Sequence, residues 1–427
     1  MADSTIYDVD QPGSKRYPLP NQFFLSSLWF GFNVQWGALL PIVLPAQVAD
    51  MAGPRKELYN GLLLAIGAFL AMIVSPVAGA LSDRSTSKLG RRRPYIWQGL
   101  IANCASLALM GLFGKGSNIF LFLLCFLAVQ FTANWWGGPY AGLIPDLVPL
   151  EDRGRASAWL MFMTILGTIV GVGSSGQLIA LGGYKLAYAF IIGCLLLCFV
   201  ITLLGVRETP LSQPPKAISL GEFIRSFYLD PREHRDFYWV LITRTMVTMG
   251  VFSVYNFFQY FLGDVIGIAN PAQQGSALLG IGALVSLPFG FLAGRLSDRW
   301  GRKRTVMLSG GIMAVTSIIF VFTAFSGSWP LAIALAITFG IGSCAYQTVD
   351  WALAIDVLPK LDNAGKDMGI WHVALVLPAV IAPAISGFVL QQLKPVSLVL
   401  GYTVVFLIAA FWFSLGTILV KNIRGVR

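Results

Sequence analysis

The chain has 427 residues, of which 56% are hydrophobic and 12% charged, and its mean hydropathy is +0.71. Soluble globular domains carry about 25% charged residues, so this composition excludes a water-soluble globule. The formal net charge is +10, but the cations are spread over short segments between apolar runs. That pattern is a membrane-topology signal, not the clustered basic face that nucleic acid requires.

Met1 to Pro20 hold no apolar core preceded by basic residues, so no cleaved signal peptide is expected, and 1–22 reads as a cytoplasmic tail. Apolar runs of about 20 residues then follow one another. They centre on 23–46, 59–81, 95–113, 119–144, 156–181 and 185–206, and then on 237–262, 276–296, 305–325, 329–354, 367–390 and 397–420. Many contain Gly or Pro, which membrane helices tolerate. The polar stretch 207–236, with Pro210, Pro214 and Pro215, reads as a cytoplasmic linker, and Leu220–Phe227 as a short helix on the membrane surface. The predicted architecture is therefore an all-α integral membrane protein of twelve transmembrane helices. Two six-helix bundles, 23–206 and 237–420, flank the linker, and a cytoplasmic tail occupies 421–427.

Two motifs recur at one register. Gly79-Ala80-Leu81-Ser82-Asp83-Arg84, closed by Gly90-Arg91-Arg92-Arg93, answers to Gly294-Arg295-Leu296-Ser297-Asp298-Arg299, closed by Gly301-Arg302-Lys303-Arg304. Gly90 and Gly301 stand 211 residues apart. Ile144-Pro145-Asp146-Leu147-Val148-Pro149 and Ala354-Ile355-Asp356-Val357-Leu358-Pro359 repeat at an offset of 210. Two features agreeing on one register indicate a duplicated half, the parallel repeat of a two-bundle secondary transporter. With both termini cytoplasmic, the inside segments hold 24 of the 30 Lys and Arg. Outside lie Arg55, Lys56, Lys115, Lys185 and Lys394, and Arg244 falls within a helix. A multi-pass protein of the plasma (cell inner) membrane, embedded in lipid and monomeric, is the reading. The cysteines Cys104, Cys125, Cys194, Cys198 and Cys344 all sit in apolar runs, where they serve as small packing residues. No metal site and no cofactor are predicted.

The two basic loops, each between the second and third helix of its half, resemble those of the major facilitator superfamily. The first loop, Ser82 to Ile96, has four residues more than the second between its first arginine and its glycine. It is similar to the corresponding loop of the sucrose/proton symporters, a branch of the glycoside–pentoside–hexuronide:cation symporter group. Gly138-Pro139 in the fourth helix, with Asn134 one turn before, adds to that likeness. Two departures stand against it: Gln130 where the plant symporters carry an acid, and Ala141 where they carry an arginine. The resemblance implies a sugar-type carrier whose proton site is not at its usual position. It also implies a cytoplasmic latch of Asp83, Arg84, Gly90, Arg91 and Arg92 with Asp298, Arg299, Gly301 and Arg302. There Asp83 would face the start of the eleventh helix and Asp298 the start of the fifth, because a helix N-terminus favours an anion. The alternative is that these cations only set topology and bind anionic headgroups.

In this superfamily the first, fourth, seventh and tenth helices line the path. In this chain those helices carry Asn33, Gln35 and Trp36; Gln130, Asn134, Trp135 and Trp136; Tyr255, Asn256 and Gln259; and Tyr346, Gln347 and Trp351. Amides both donate to and accept from hydroxyls, and aromatic faces suit the C–H side of a pyranose. This set favours a neutral sugar-like small molecule over an anion; the alternative use is interhelical hydrogen bonding and headgroup anchoring. Gly167 and Gly171, and Gly290 and Gly294, form small-xxx-small steps for close helix approach.

Coupling to protons needs an acid in the path. Asp350 in the tenth helix and Arg244 in the seventh lie at similar depth, about 10 Å in at 1.5 Å per residue, so a pair is geometrically possible. A static tie between two helices is the competing role. A membrane enzyme is disfavoured by two histidines, His234 and His372, with no His-Glu-x-x-His and no acidic cluster; a scaffold is disfavoured by loops of at most about 30 residues. The rival within transporters is a proton-coupled exporter of a hydrophobic drug or metabolite.

Overall fold

A computed structural model describes residues 18–149, 152–206, 208, 234–357 and 364–424. The N-terminal tail up to residue 17, most of the linker with Leu220–Phe227, and residues 425–427 lie outside the described residues.

Among the described residues every regular element is helical. The first helix, α1 (Leu19–Ala38), passes through a π turn (Leu39–Val43) into α2 (Leu44–Ala52). Then come α3 (Lys56–Asp83), α4 (Arg93–Met110), α5 (Ile119–Ala141), the short α6 (Leu143–Leu147) and α7 (Arg153–Gly205). The remainder is α8 (Arg235–Tyr255), α9 (Phe258–Asp264), α10 (Pro271–Trp300), α11 (Arg302–Ser326), α12 (Trp329–Asp356), α13 (Ala364–Leu393) and α14 (Leu398–Leu419).

Nine helical stretches among the described residues are long and apolar enough to cross a bilayer. Two of them are far too long for one crossing. Pro20–Asp83 runs 64 residues and Arg155–Gly205 runs 51, against the roughly 20 that a bilayer needs. Each is broken by glycine in a conformation that other residues avoid: Gly53 at φ 53°, and Gly183 at φ 67° just after the non-helical Gly182. The predicted spans 156–181 and 185–206 therefore join through two glycines, with no polar loop between them. The seventh predicted span, 237–262, is likewise interrupted at Asn256–Phe257, between α8 and α9.

The chain packs as two compact units. Among the described residues, one comprises those within 1–39, 70–172 and 178–216; the other comprises those within 40–69, 173–177 and 217–427. In the first unit, Gly167 and Gly171 of α7 leave no room for side chains against the Phe30 and Val34 carbonyls of α1. Ser27 and Thr202 share a buried hydroxyl contact of 3.1 Å, and the Tyr140 hydroxyl donates to the Leu25 carbonyl. In the second unit, Phe261, Phe320 and Phe406 form a buried aromatic core, with Phe320 stacked on Phe406 at 5.1 Å. Gly290 of α10 seats the Cys344 thiol of α12, the same use of a small residue that Gly167 makes in the first unit. The segment 40–69 belongs to the first half by sequence repeat, yet it packs with the second. Gly387 of α13 lies directly against the Glu57 carbonyl and Gly61 of α3, an approach that a side chain at either glycine would block.

Candidate functional site

Arg244 of α8 and Asp350 of α12 are buried charged groups inside membrane-crossing stretches. Asp350 is 1% exposed and Arg244 8%. Arg244 Nη1 donates to Asp350 Oδ2, and the Tyr346 hydroxyl, one turn earlier on α12, donates to Oδ1 at 3.1 Å. Both carboxylate oxygens are thus engaged, as a buried ion pair requires. Residues 346, 349, 350 and 353 are buried on α12, because i, i+3 and i+4 share a helix face. Gln347 and Trp351 fall on the exposed side of the same helix, away from the pair. The Gln347 amide donates to Ser343 Oγ at 3.2 Å.

The other candidate residues divide by the partners they find. In α1, Gln35 is fully buried and accepts from Asn103 Nδ2 at 2.7 Å, with Thr132 extending the chain to Asn103 Oδ1 at 3.4 Å. This is an interhelical network of α1, α4 and α5. Asn33 Nδ2 is turned back onto the Trp29 carbonyl at 2.8 Å, and Trp36 packs edge-on against Phe32. In α5, Asn134 Nδ2 donates to the Gln130 carbonyl at 2.8 Å and lies 3.4 Å from its side-chain oxygen. Trp135 stacks on Phe131 at 5.5 Å; Trp136 is wholly buried against Phe32, with its indole N–H lacking a hydrogen-bond partner.

Residues at the α8–α9 junction serve the backbone. Asn60 Nδ2 donates to the Asn256 carbonyl at 3.2 Å. With its amide oriented so that the nitrogen faces the π turn, the orientation that satisfies both ends of the group, Gln259 donates to the Pro41 and Ile42 carbonyls, both at 3.0 Å. Pro45 has no N–H to offer the Pro41 carbonyl four residues back, so the π turn exposes an acceptor that Gln259 covers. Tyr260 does the same for the Pro45 carbonyl at 2.9 Å. Tyr255 lines a small aromatic cleft with Phe258, Phe320 and Phe339.

At the basic loops the two repeated motifs meet each other. In the first copy Arg92 binds Asp83 at 2.7 Å and Asp146 at 2.5 Å, and Arg91 also reaches Asp146. In the second, Arg302 binds Asp298 at 2.7 Å and Asp356 at 3.1 Å. Both loops turn on glycines at positive φ, Gly90 at 110° and Gly301 at 97°. Asp83 and Asp298 are thus bound by their own loops' arginines; Arg84 and Arg299 are exposed. Asp146 and Asp356 carried a signal in the sequence, their offset of 210 lying within one residue of the 211 between Gly90 and Gly301.

Glu208 had no such signal. Its carboxylate accepts from the Arg92 and Arg93 amides at 2.8 and 3.2 Å, capping α4. Burial raises its pKa above the usual carboxylate range, against the opposing pull of those two amides and the Arg92 charge. Burial is the largest influence on Arg91 and lowers its basicity, but the bond to Asp146 and the charges of Asp146, Asp83 and Glu208 together outweigh it, for a net rise.

Comparison with known proteins adds the decisive observation. The family model described as Major Facilitator Superfamily matches residues 25–360 and 270–424. This chain belongs to the major facilitator superfamily. Within that superfamily it is 24% identical over 431 residues to the sucrose transport protein SUC4 of Arabidopsis thaliana, covering 85% of this chain and 82% of that one. It is 26% identical over 312 residues to the multidrug resistance protein MdtG of Serratia proteamaculans, covering 69% and 71%. Its fold is similar to the crystal structure of a bacterial homologue of the human lysosomal transporter Spinster, with a TM-score of 0.68 and 15% identity over 96% of this chain and 99% of that one. The superfamily assignment makes the chain a multi-pass membrane transporter, and it gives the duplicated loops their context.

Proposed function

We propose that this chain is a secondary active transporter that moves a small polar solute, a sugar or glycoside, across the plasma membrane by alternating access coupled to protons. The two overlong helical stretches, each crossing twice, together with α4 bring the nine candidate stretches to twelve spans, six on either side of 207–236. The concentration of Lys and Arg assigns the basic loops and both termini to the cytoplasm.

The observation that carries the coupling is the buried Arg244–Asp350–Tyr346 cluster. Charges in membrane helices are costly and mark ion pathways. Asp350 is the member that takes a proton; protonation cancels its charge and frees Arg244 and Tyr346, and deprotonation re-forms the pair. Such alternation lets one proton stabilise one state of α8 against α12. For the solute, Asn134 and Gln130 supply amides and Trp135 and Trp36 aromatic faces, whereas Gln35 and Gln259 are committed to interhelical and backbone bonds. The likeness to a protein named for sucrose transport supports the sugar class. The arginine–aspartate bonds at the two basic loops form the cytoplasmic latch.

The likeness to a multidrug resistance protein favours a second reading, export of a hydrophobic compound against protons. Reconstituted protein decides between them. Labelled mono- and disaccharides driven by an imposed pH gradient should accumulate, and dye efflux measured alongside should not be stimulated. Dye efflux without sugar uptake overturns the first reading.

A further inference from the structure

A second charged cluster lies in the unit formed by residues 40–69, 173–177 and 217–427, at the end of α3 remote from the basic loop. Lys56 and Glu57 begin α3, Asp264 ends α9, Lys394 follows α13 and Tyr402 lies in the first turns of α14. Asp264 is bound three ways: by Lys56 at 2.5 Å, by the Tyr402 hydroxyl at 2.9 Å and by Lys394 at 3.8 Å. Lys56 also sits over the Tyr260 ring, 4.9 Å from its centroid. Two cations and two anions make the cluster neutral, which accounts for Lys56 and Lys394 standing against the positive-inside pattern.

The two acids are not equivalent. Glu57 is 0% exposed, its Oε1 takes Lys394 at 2.8 Å, and its Oε2 has no hydrogen-bond partner. One turn on, Asn60 is equally buried, and its side-chain oxygen is also unpartnered. Across the α3–α13 contact the fully buried Ser386 hydroxyl is unpartnered as well. Lys394 is partly exposed and already within reach of Asp264. It is therefore free to leave Glu57 for water and Asp264, while Glu57 has nowhere to turn. A buried carboxylate that loses the cation bonded to it neutralises instead of remaining charged.

We propose that Glu57 is an exchangeable proton-binding site, separate from Asp350, whose proton takes the place of Lys394 when α3 and α13 part. Water supplies the proton: an O–H bond forms at Glu57 Oε2 as the donor's O–H bond breaks, and Lys394 remains an ammonium, now hydrated and paired with Asp264. The groups facing Glu57 and its partners are Lys56 on α3, Asp264 and Tyr260 on α9, Lys394 beyond α13 and Tyr402 on α14. None of them is a histidine, so the proton that moves is that of Glu57. The inference rests on the transporter reading for its purpose, but not on the role of Asp350.

The test uses the full chain in proteoliposomes, with the native cysteines replaced and Ser386→Cys as a reporter of the α3–α13 contact. Labelling by a membrane-impermeant maleimide is followed from pH 5 to pH 8, and each rate is normalised to the same thiol in denatured protein. Normalised labelling should be about fivefold faster at pH 5 than at pH 8. Glu57→Gln should make it fast at both values, and Asp350→Asn should keep the original pH response. Lys394→Gln, which removes the cation and leaves Glu57 in place to hold its proton, should also label fast without pH dependence; it carries the test if Glu57→Gln fails to fold. A reporter insensitive to pH, or a pH response surviving in either the Glu57 or the Lys394 variant, overturns the proposal. Loss of the pH response in Asp350→Asn overturns the separateness of the two sites. Absence of sugar uptake with the labelling results intact would sink the sugar reading and leave Glu57 standing.

Discussion

Asp350→Asn separates a coupling acid from a static strut. The substitution keeps side-chain shape and one acceptor for the Tyr346 hydroxyl, now 3.1 Å from Oδ1, but removes the charge that faces Arg244. Arg244 is 8% exposed, so its guanidinium is left charged and nearly dry. Removing one partner of a buried pair costs about 3–5 kcal/mol, most of it the penalty of the stranded charge. Thermal unfolding of the purified variant should show a loss of that order, and Arg244→Gln in the same chain should recover most of it. The transport readout is independent of that loss. A gradient of two pH units stores about 2.7 kcal/mol per proton, which drives roughly 100-fold accumulation at one proton per solute. In Asp350→Asn, accumulation should fall to the external concentration, while counterflow of unlabelled against labelled sugar persists. Accumulation that still follows the pH gradient in this variant refutes the coupling role and leaves the pair as a tie between α8 and α12.

Further expectations concern the other sites. Asp146→Asn should slow transport more than Asp83→Asn, because Asp146 takes both Arg91 and Arg92 while Asp83 takes Arg92 alone; equal and wild-type rates for Asp83→Asn, Asp298→Asn and Asp146→Asn in a timed uptake assay would reduce the loops to topology. Asn134→Leu should raise the Michaelis constant for sugar severalfold with near-normal expression, since Leu is favoured in lipid; unchanged affinity would assign Asn134 to its bond with the Gln130 carbonyl. Glu208 has a folded pKa above its unfolded value near 4.5, so folding takes up a proton there and wild type loses stability as pH rises through that window. Glu208→Gln should accordingly match wild type below about pH 4.5 and equal or exceed it in melting temperature at neutral pH; a Gln variant clearly less stable at neutral pH would mean that the charged carboxylate is the better cap for α4.

Much of this molecule is dictated by sequence alone, because the bilayer is a demanding solvent. Apolar runs of membrane length and the side on which cations collect follow from transfer free energy, residue by residue. The duplication is legible because Gly90 and Gly301 share a register with Asp146 and Asp356. Helical rise also makes an Arg244–Asp350 pair geometrically possible, and the two side chains do pair. What the sequence could not supply is azimuth and partner. Gln35, Gln259 and Asn134 look alike in a list of intramembrane amides, yet one binds Asn103, one covers carbonyls at the Pro41 π turn and one turns back onto its own helix. Each outcome depends on which helix face meets which neighbour, a property of packing across scores of residues. The Glu57–Lys394 pair spans 337 positions in the chain, and no local pattern links them. Only the tertiary structure brings Gly61 against Gly387 closely enough to bury that carboxylate, and burial is what turns an ordinary glutamate at a helix start into a group that must keep its cation or take a proton.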